Sequence, residues 1–133
     1  MALKIYNTLS RKVEEFIPIN APYVGMYTCG PTVYDFQHIG NFRTAIFSDI
    51  LSRALKANNF MIKTVRNITD IEDKIIKKSA EKGIKPEELT QEYTQEFFND
   101  LNKLGVQPVN VSPKATEHIQ EMVKYIEILI EKG

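Results

Sequence analysis

Between positions 29 and 43 the chain reads CGPTVYDFQHIGNFR. The stretch opens on Cys29, the only cysteine of the protein, and holds His38, one of its two histidines. A thiolate is the reactive, nucleophilic form of cysteine. His38-Ile39-Gly40-Asn41 runs into what reads as the start of a helix, where free backbone N–H groups and the positive end of the helix dipole favour a phosphate. His38 and Asn41 can both donate hydrogen bonds to phosphate oxygens, and Gly40 lets a nucleotide come close to the backbone. The spacing is neither GxxxxGK[ST] nor GxGxxG, so a P-loop or a dinucleotide fold is not indicated. Taken singly, each residue has a plainer role. A histidine near a helix start is usually a cap, a lone cysteine at a strand end a buried small apolar residue, and Thr69-Asp70 ahead of a helix an N-cap pair.

These residues need a scaffold, and the flanking pattern supplies one. Tyr23–Thr28 is a compact apolar run that predicts a buried strand ending at Cys29. From Asn41, the apolar residues Phe42, Ala45, Ile46, Ile50, Leu51, Ala54 and Leu55 recur at helical spacing and predict one buried face. Asn58-Asn59 suits a helix stop, and Phe60–Arg66 is rich in strand formers. Strand, helix, strand over about 45 residues is a right-handed βαβ unit with parallel strands. Such a sheet binds ligands at the carboxyl ends of its strands, where residue 29 falls.

Around this unit, Leu3–Tyr6 reads as a short strand, and Val13–Pro18 as its hairpin partner or an edge segment. Beyond Asp70 the chain reads as helical. One segment ends near Gly83. A second begins at Pro86 with Leu89, Tyr93, Phe97, Leu101 and Leu104 on a stripe. Pro108 and Pro113 bracket a loop, and a last helix carries Ile119, Met122, Val123, Ile126 and Leu129 on one face. So few strands leave a parallel sheet short of neighbours, which predicts the front part of a longer protein.

Composition narrows the class. The chain has 133 residues, 43% hydrophobic and 26% charged, an ordinary soluble mix. Seventeen basic residues balance seventeen acidic ones, which argues against a chain-wide nucleic-acid surface. A lysine run at Lys74, Lys77, Lys78, Lys82 and Lys85 reads as a solvated helix face, with contact to nucleic-acid phosphates as the alternative. One cysteine cannot make an internal disulfide, and the charged N-terminus lacks the apolar segment of a signal peptide. No apolar run approaches the ~20 residues of a membrane span. A cytoplasmic protein is expected.

Cys29-Gly30-Pro31-Thr32-Val33-Tyr34-Asp35, then His38-Ile39-Gly40-Asn41, then Arg66-Asn67-Ile68-Thr69-Asp70-Ile71-Glu72-Asp73-Lys74-Ile75 together resemble the class I aminoacyl-tRNA synthetases, and more narrowly their cysteine-specific branch. The resemblance runs along nearly the whole chain. The family's HIGH motif ends here in Asn41, which keeps a hydrogen-bond donor and drops the ionisable ring. The implied fold is α/β: the first half of a Rossmann-like nucleotide-binding fold with parallel strands, over residues 1–112, plus the helical start of an inserted connective segment, over 113–133. The implied activity is ATP-dependent activation of cysteine to cysteinyl-adenylate, followed by transfer to tRNA(Cys). It maps catalysis onto His38 and Asn41, ATP binding onto Thr32, His38, Gly40 and Asn41, amino-acid binding onto Gly30 and Thr69, and a zinc ligand onto Cys29. ATP with Mg2+, cysteine and tRNA(Cys) are the implied partners of a monomer. Coordination of the substrate thiol by zinc would select cysteine without editing, since serine cannot reproduce a zinc–thiolate bond.

The family's other three zinc ligands, its KMSKS loop and its anticodon-binding domain have no counterpart in these residues. The expectation is therefore half a catalytic site, inactive by itself. A ligase that joins cysteine to an amino sugar, and a non-catalytic truncated paralogue, are the competing readings.

Overall fold

The computed structural model describes residues 2–133. A β-hairpin comes first, β1 (Lys4–Asn7) pairing antiparallel with β2 (Lys12–Glu15). The βαβ unit follows: β3 (Tyr23–Thr28), α1 (Ile39–Ala57) and β4 (Met61–Arg66), with β3 and β4 parallel and in register from Tyr23↔Met61 to Thr28↔Arg66. Then come α2 (Asp73–Lys82), α3 (Pro86–Lys103), a short 3-10 turn at Ala115–His118, and α4 (Ile119–Lys132). The α/β class and the parallel pair agree with the sequence reading.

Local chemistry sets the boundaries. α1 starts two residues earlier than its apolar pattern, because His38 caps it. It stops at Asn58, and Asn59 takes a left-handed φ of 65°, which asparagine tolerates. Gly83 ends α2 at φ 67°, and Pro86 begins α3, where its missing N–H costs nothing.

The core is small and lies on one side of the βαβ unit. Val33, Ala45, Ile68, Ile75, Leu89, Tyr93, Phe97, Leu101 and Val106 form one buried cluster joining the loop after β3, the start of α1, the loop after β4, α2 and α3. Phe42 stacks on Phe97 with centroids 6.0 Å apart. The α3 stripe is buried as expected from Leu89 to Leu101, but Leu104 is half exposed because the helix ends there.

Several expectations need correction. β3 is not a buried strand: none of its residues is buried, and Tyr23 and Tyr27 are exposed, because its sheet has only two strands and is open to solvent. α1 does not bury one apolar face. Its buried positions are Ala45, Ser48, Ser52 and Leu55, whereas Ile46 and Ile50 are exposed. The small serines let α1 lie close to a sheet face that carries Thr28, Thr64 and Arg66, and Ser48 Oγ accepts a 2.7 Å hydrogen bond from the buried Arg66. α4 likewise has its Ile119, Met122, Val123, Ile126 and Leu129 stripe exposed.

The segment between Pro108 and Pro113 is not a free loop. It lies beside β4: Val111 N–H donates to Thr64 O, Arg66 N–H to Val111 O, and Ile68 N–H to Pro113 O. Lys114 bridges Ile68, and Asp70 accepts from the Thr116 N–H, so ties to β4 and the loop after it continue just past residue 112. No described helix is long and apolar enough to cross a membrane.

Candidate functional site

The site grows from a mismatch in the parallel ladder. Pairing is regular to Thr28↔Arg66 and resumes at Thr32↔Thr69. Four steps along the first strand therefore match three along the second, and Cys29-Gly30-Pro31 holds the surplus residue. Pro31 O accepts from Thr69 N–H at 3.0 Å, and Val33 N–H donates to Thr69 O at 3.2 Å, so the ladder closes again behind the bulge. The excursion pushes Cys29 outward, and its thiol is exposed rather than buried as the plain reading would have it. Gly30 lies flat against β4's continuation. A Cβ there would sit 1.5 Å from the Asn67 carbonyl oxygen, so no side chain fits.

Asn67 knots this region together. Its Oδ1 accepts from Gly30 N–H (2.8 Å) and from the Tyr27 hydroxyl (3.0 Å), and its Nδ2 donates to Thr69 Oγ1 (3.2 Å). Asn67 stands within the Arg66–Ile75 motif, where its type alone assigns it no role. Its partners are 40, 37 and 2 residues away in sequence, which residue type alone does not reveal.

The second half of the site is the start of α1. His38 Nδ1 accepts from Gly40 N–H at 3.0 Å, and Asn41 Oδ1 accepts from His38 N–H at 3.2 Å, a reciprocal cap. His38 is thus a helix cap, as its plain reading held, and the cap decides what faces outward. With Nδ1 accepting, the proton of the neutral ring sits on Nε2. With Oδ1 accepting, the Asn41 NH2 remains free. Both are donors, and neither has a recorded partner among the described residues. The anion-binding donors of this helix start are therefore side-chain groups more than backbone amides, since the Gly40 and Asn41 N–H groups are already committed to His38. Gly40 has a local reason to be glycine: a Cβ would meet the His38 ring at 2.8 Å and 3.0 Å.

Cys29, Gly30 and Asn41 meet across one cavity of about 170 Å³, lined also by Thr44, Arg66 and Phe97. His38 and Gly40 adjoin it through the cap. Thr32 and Thr69 pair with each other behind Gly30 and do not line it. Thr69 and Asp70 do not cap α2, whose N-cap is Glu72; Asp70 instead accepts from the backbone and hydroxyl of Thr116. Arg66 is 4% exposed, and burial pushes its guanidinium pKa down against the opposing pull of Asp49.

The 29–38 loop is pinned to α2 and α3 from outside. Lys78 pairs with Asp35 and lies over the Tyr34 and Tyr93 rings. Lys74 sits over Tyr34, and Lys82 over Tyr93 while donating to its hydroxyl at 3.0 Å. Lys78 holds the Asp35 carboxyl below its ordinary pKa, and Asp35 raises that of Lys78. Three lysines of the run are thus engaged within the chain, beyond what a solvated face would show.

Among the described residues, no three His, Cys, Asp or Glu side chains lie close enough to hold a metal. Cys29 alone does not make a zinc site.

A family model described as "tRNA synthetases class I (C) catalytic domain" matches residues 15–133. Proteins named "Cysteine--tRNA ligase" are similar along almost the whole chain. The one from Methanococcus maripaludis is 52% identical over 98% of this chain and 28% of its own length. The one from Brachyspira hyodysenteriae is 50% identical over 96% and 27%, and the one from Thermococcus kodakarensis 47% over 100% and 28%. The chain therefore spans under a third of the length of these relatives. With a family match that runs from the last residue of β2 through α4 and takes in the bulge, the capped helix start and the Asn67 knot, the chain belongs to the class I (C) tRNA synthetase catalytic-domain family.

Proposed function

We propose that this chain is the N-terminal portion of a cysteine–tRNA ligase, which activates cysteine with ATP and passes the cysteinyl group to tRNA(Cys). The observation that carries the reading is the single cavity shared by Cys29, Gly30 and Asn41, with the capped His38–Asn41 turn beside it. An amino-acid end and a phosphate end then lie on one rigid loop. The reaction needs that arrangement, because the cysteine carboxylate must meet the α-phosphorus of ATP in line.

His38 Nε2–H and the Asn41 amide donate to phosphate oxygens as negative charge grows on them, and no covalent enzyme intermediate is involved. Thr32 belongs to the nucleotide side, Gly30 and Thr69 to the amino-acid side. Cys29 would contribute one thiolate to a zinc ion held mainly by other ligands, and zinc, when bound, would supply selection of the substrate thiol. Mg2+ accompanies ATP. The protein is a cytoplasmic monomer, with residues 1–112 serving the nucleotide-binding half and 113–133 leading into an inserted segment.

The test uses the full-length protein. Cysteine-dependent pyrophosphate exchange and charging of tRNA(Cys) are both expected, and absence of exchange overturns the proposal. Exchange without tRNA charging, combined with transfer to an amino sugar, would favour the amino-sugar ligase. The 133-residue chain alone is expected to do neither reaction.

A further inference from the structure

Arg66 carries a charge that the described residues do not pair. It is 4% exposed, and no carboxylate among them lies within ion-pair distance of it. Its Nη2 donates to Ser48 Oγ at 2.7 Å. A guanidinium has five N–H groups, and no other acceptor is recorded for this one among the described residues. One turn further along α1, Ser52 is 5% exposed, and its hydroxyl has no recorded partner among the described residues either. Both residues line a recess of about 70 Å³ between α1 and β4. Among the described residues, no fully enclosed side-chain nitrogen or oxygen other than Glu72 Oε2 lacks a partner. The spare groups of Arg66 and Ser52 therefore reach water-sized space and are not sealed in the core.

The other walls narrow what can fill the recess. Asp49 stands in it, its oxygens accepting from Arg53 Nε at 2.8 Å and from Gln107 N–H at 3.3 Å, which leaves each a further lone pair. Thr64 and Asn110 satisfy each other at 3.0 Å and 3.1 Å. An anion drawn to Arg66 would meet Asp49, and a cation drawn to Asp49 would meet Arg66. The volume takes about two water molecules at roughly 30 Å³ each.

We propose that this recess is a hydration site of the fold, where about two ordered waters bridge the Arg66 guanidinium to the Ser52 hydroxyl and the Asp49 carboxylate. Water both donates and accepts, so it suits a wall that shows N–H donors beside carboxylate lone pairs. A bridging water bonds nearly as well as a direct partner, and a buried charge left short of partners is costly. The stem of Arg66 lines the cavity of Cys29, Gly30 and Asn41, so one side chain forms a wall of the candidate site and keeps its head in water behind it. The hydration site stands apart from the cysteine-activating function, since no substrate group takes part in it.

The first test is a crystal structure of the full-length protein grown in bromide. Ordered waters are expected within about 3.2 Å of Arg66 nitrogens, Ser52 Oγ and Asp49, with no anomalous bromide signal among them. Bromide in the recess, a side chain from elsewhere in the protein, or a dry recess overturns the inference. The second test is the melting temperature of variants. Ser52→Val puts methyl groups into the recess. In a dry recess they would add packing and raise the melting temperature. In a hydrated one they displace water from Arg66 and should lower it, below that of Ser52→Ala, which keeps the room. The loss should vanish in an Arg66→Met background, which has no head to hydrate. Ser52→Val as stable as wild type, or an equal loss with and without the Arg66 head, overturns the inference. Should Arg66→Met fail to fold, the order of the two Ser52 variants and the crystal structure still decide.

Discussion

Replacing Gly30 with alanine tests the bulge directly. Gly30 needs no left-handed backbone; what it needs is space, since an added Cβ would lie 1.5 Å from the Asn67 oxygen, 2.7 Å from its carbonyl carbon and 3.2 Å from Arg66 Cγ. Ordinary contact would require the two backbones to part by about 2 Å. That displacement exceeds what the bonds spanning the gap tolerate: Gly30 N–H to Asn67 at 2.8 Å, Thr69 N–H to Pro31 at 3.0 Å and Val33 N–H to Thr69 at 3.2 Å. Three hydrogen bonds at about 1 kcal/mol each, with overpacking at about 1–3, give roughly 4–6 kcal/mol. A domain with about 5–15 kcal/mol of stability would lose much of it. Gly25 supplies the control, because a Cβ there meets nothing within 4 Å. Gly40→Ala lies between. Its obstacle is the movable His38 ring, so it should cost about 1 kcal/mol through the lost cap. Urea unfolding of the chain followed by circular dichroism should rank the variants Gly30→Ala far below Gly40→Ala, and Gly25→Ala near wild type. A Gly30→Ala midpoint within error of wild type would refute the packing of Gly30 on Asn67.

Asp35→Asn should cost about 0.2–1 kcal/mol at neutral pH, the range for an exposed ion pair. Because Lys78 lowers the Asp35 pKa, that contribution is present above the ordinary carboxylate range and fades as pH falls through the folded value. The urea-midpoint gap between wild type and variant should therefore close towards acid, and a gap that stays constant would contradict the pairing. Ser48→Ala should destabilise by about 1–3 kcal/mol by stranding a buried Arg66 donor, visible as a lower melting temperature; an unchanged melt would deny that bond its role. Titrating the 133-residue chain with zinc should give equally weak heats for wild type and Cys29→Ser; tight binding lost on Cys29→Ser would refute this by showing that the chain assembles a ligand set around the thiol.

The βαβ order, the α3 stripe and the helix ends were legible because each depends on neighbours within a turn or two: Asn59, Gly83 and Pro86 announce themselves by backbone preference. The capped turn was half legible, since histidine before a helix suggests a cap but not which ring nitrogen is used. Long-range pairing was not legible. Asn67 looks like any loop asparagine until Gly30 is laid against it. Val111 looks like loop until β4 offers it an edge. α1 misled because its serines face the sheet and its isoleucines do not. Burial there follows the close approach of helix to strand over Arg66, and hydropathy carries no record of that distance.

The surplus residue between Thr28 and Thr32 makes the site a matter of counting as well as of chemistry. Removing Gly30 or Pro31 would let the pairing run without a surplus from Thr28↔Arg66 to Thr32↔Thr69, and the Cys29 thiol would be drawn back towards the sheet although Cys29 itself is kept. Adding one would carry it outward past the cavity wall. Length at this point behaves as a ruler. Substitution can be tolerated there or not, residue by residue, but an insertion or deletion resets the distance between thiol and helix start in a single step.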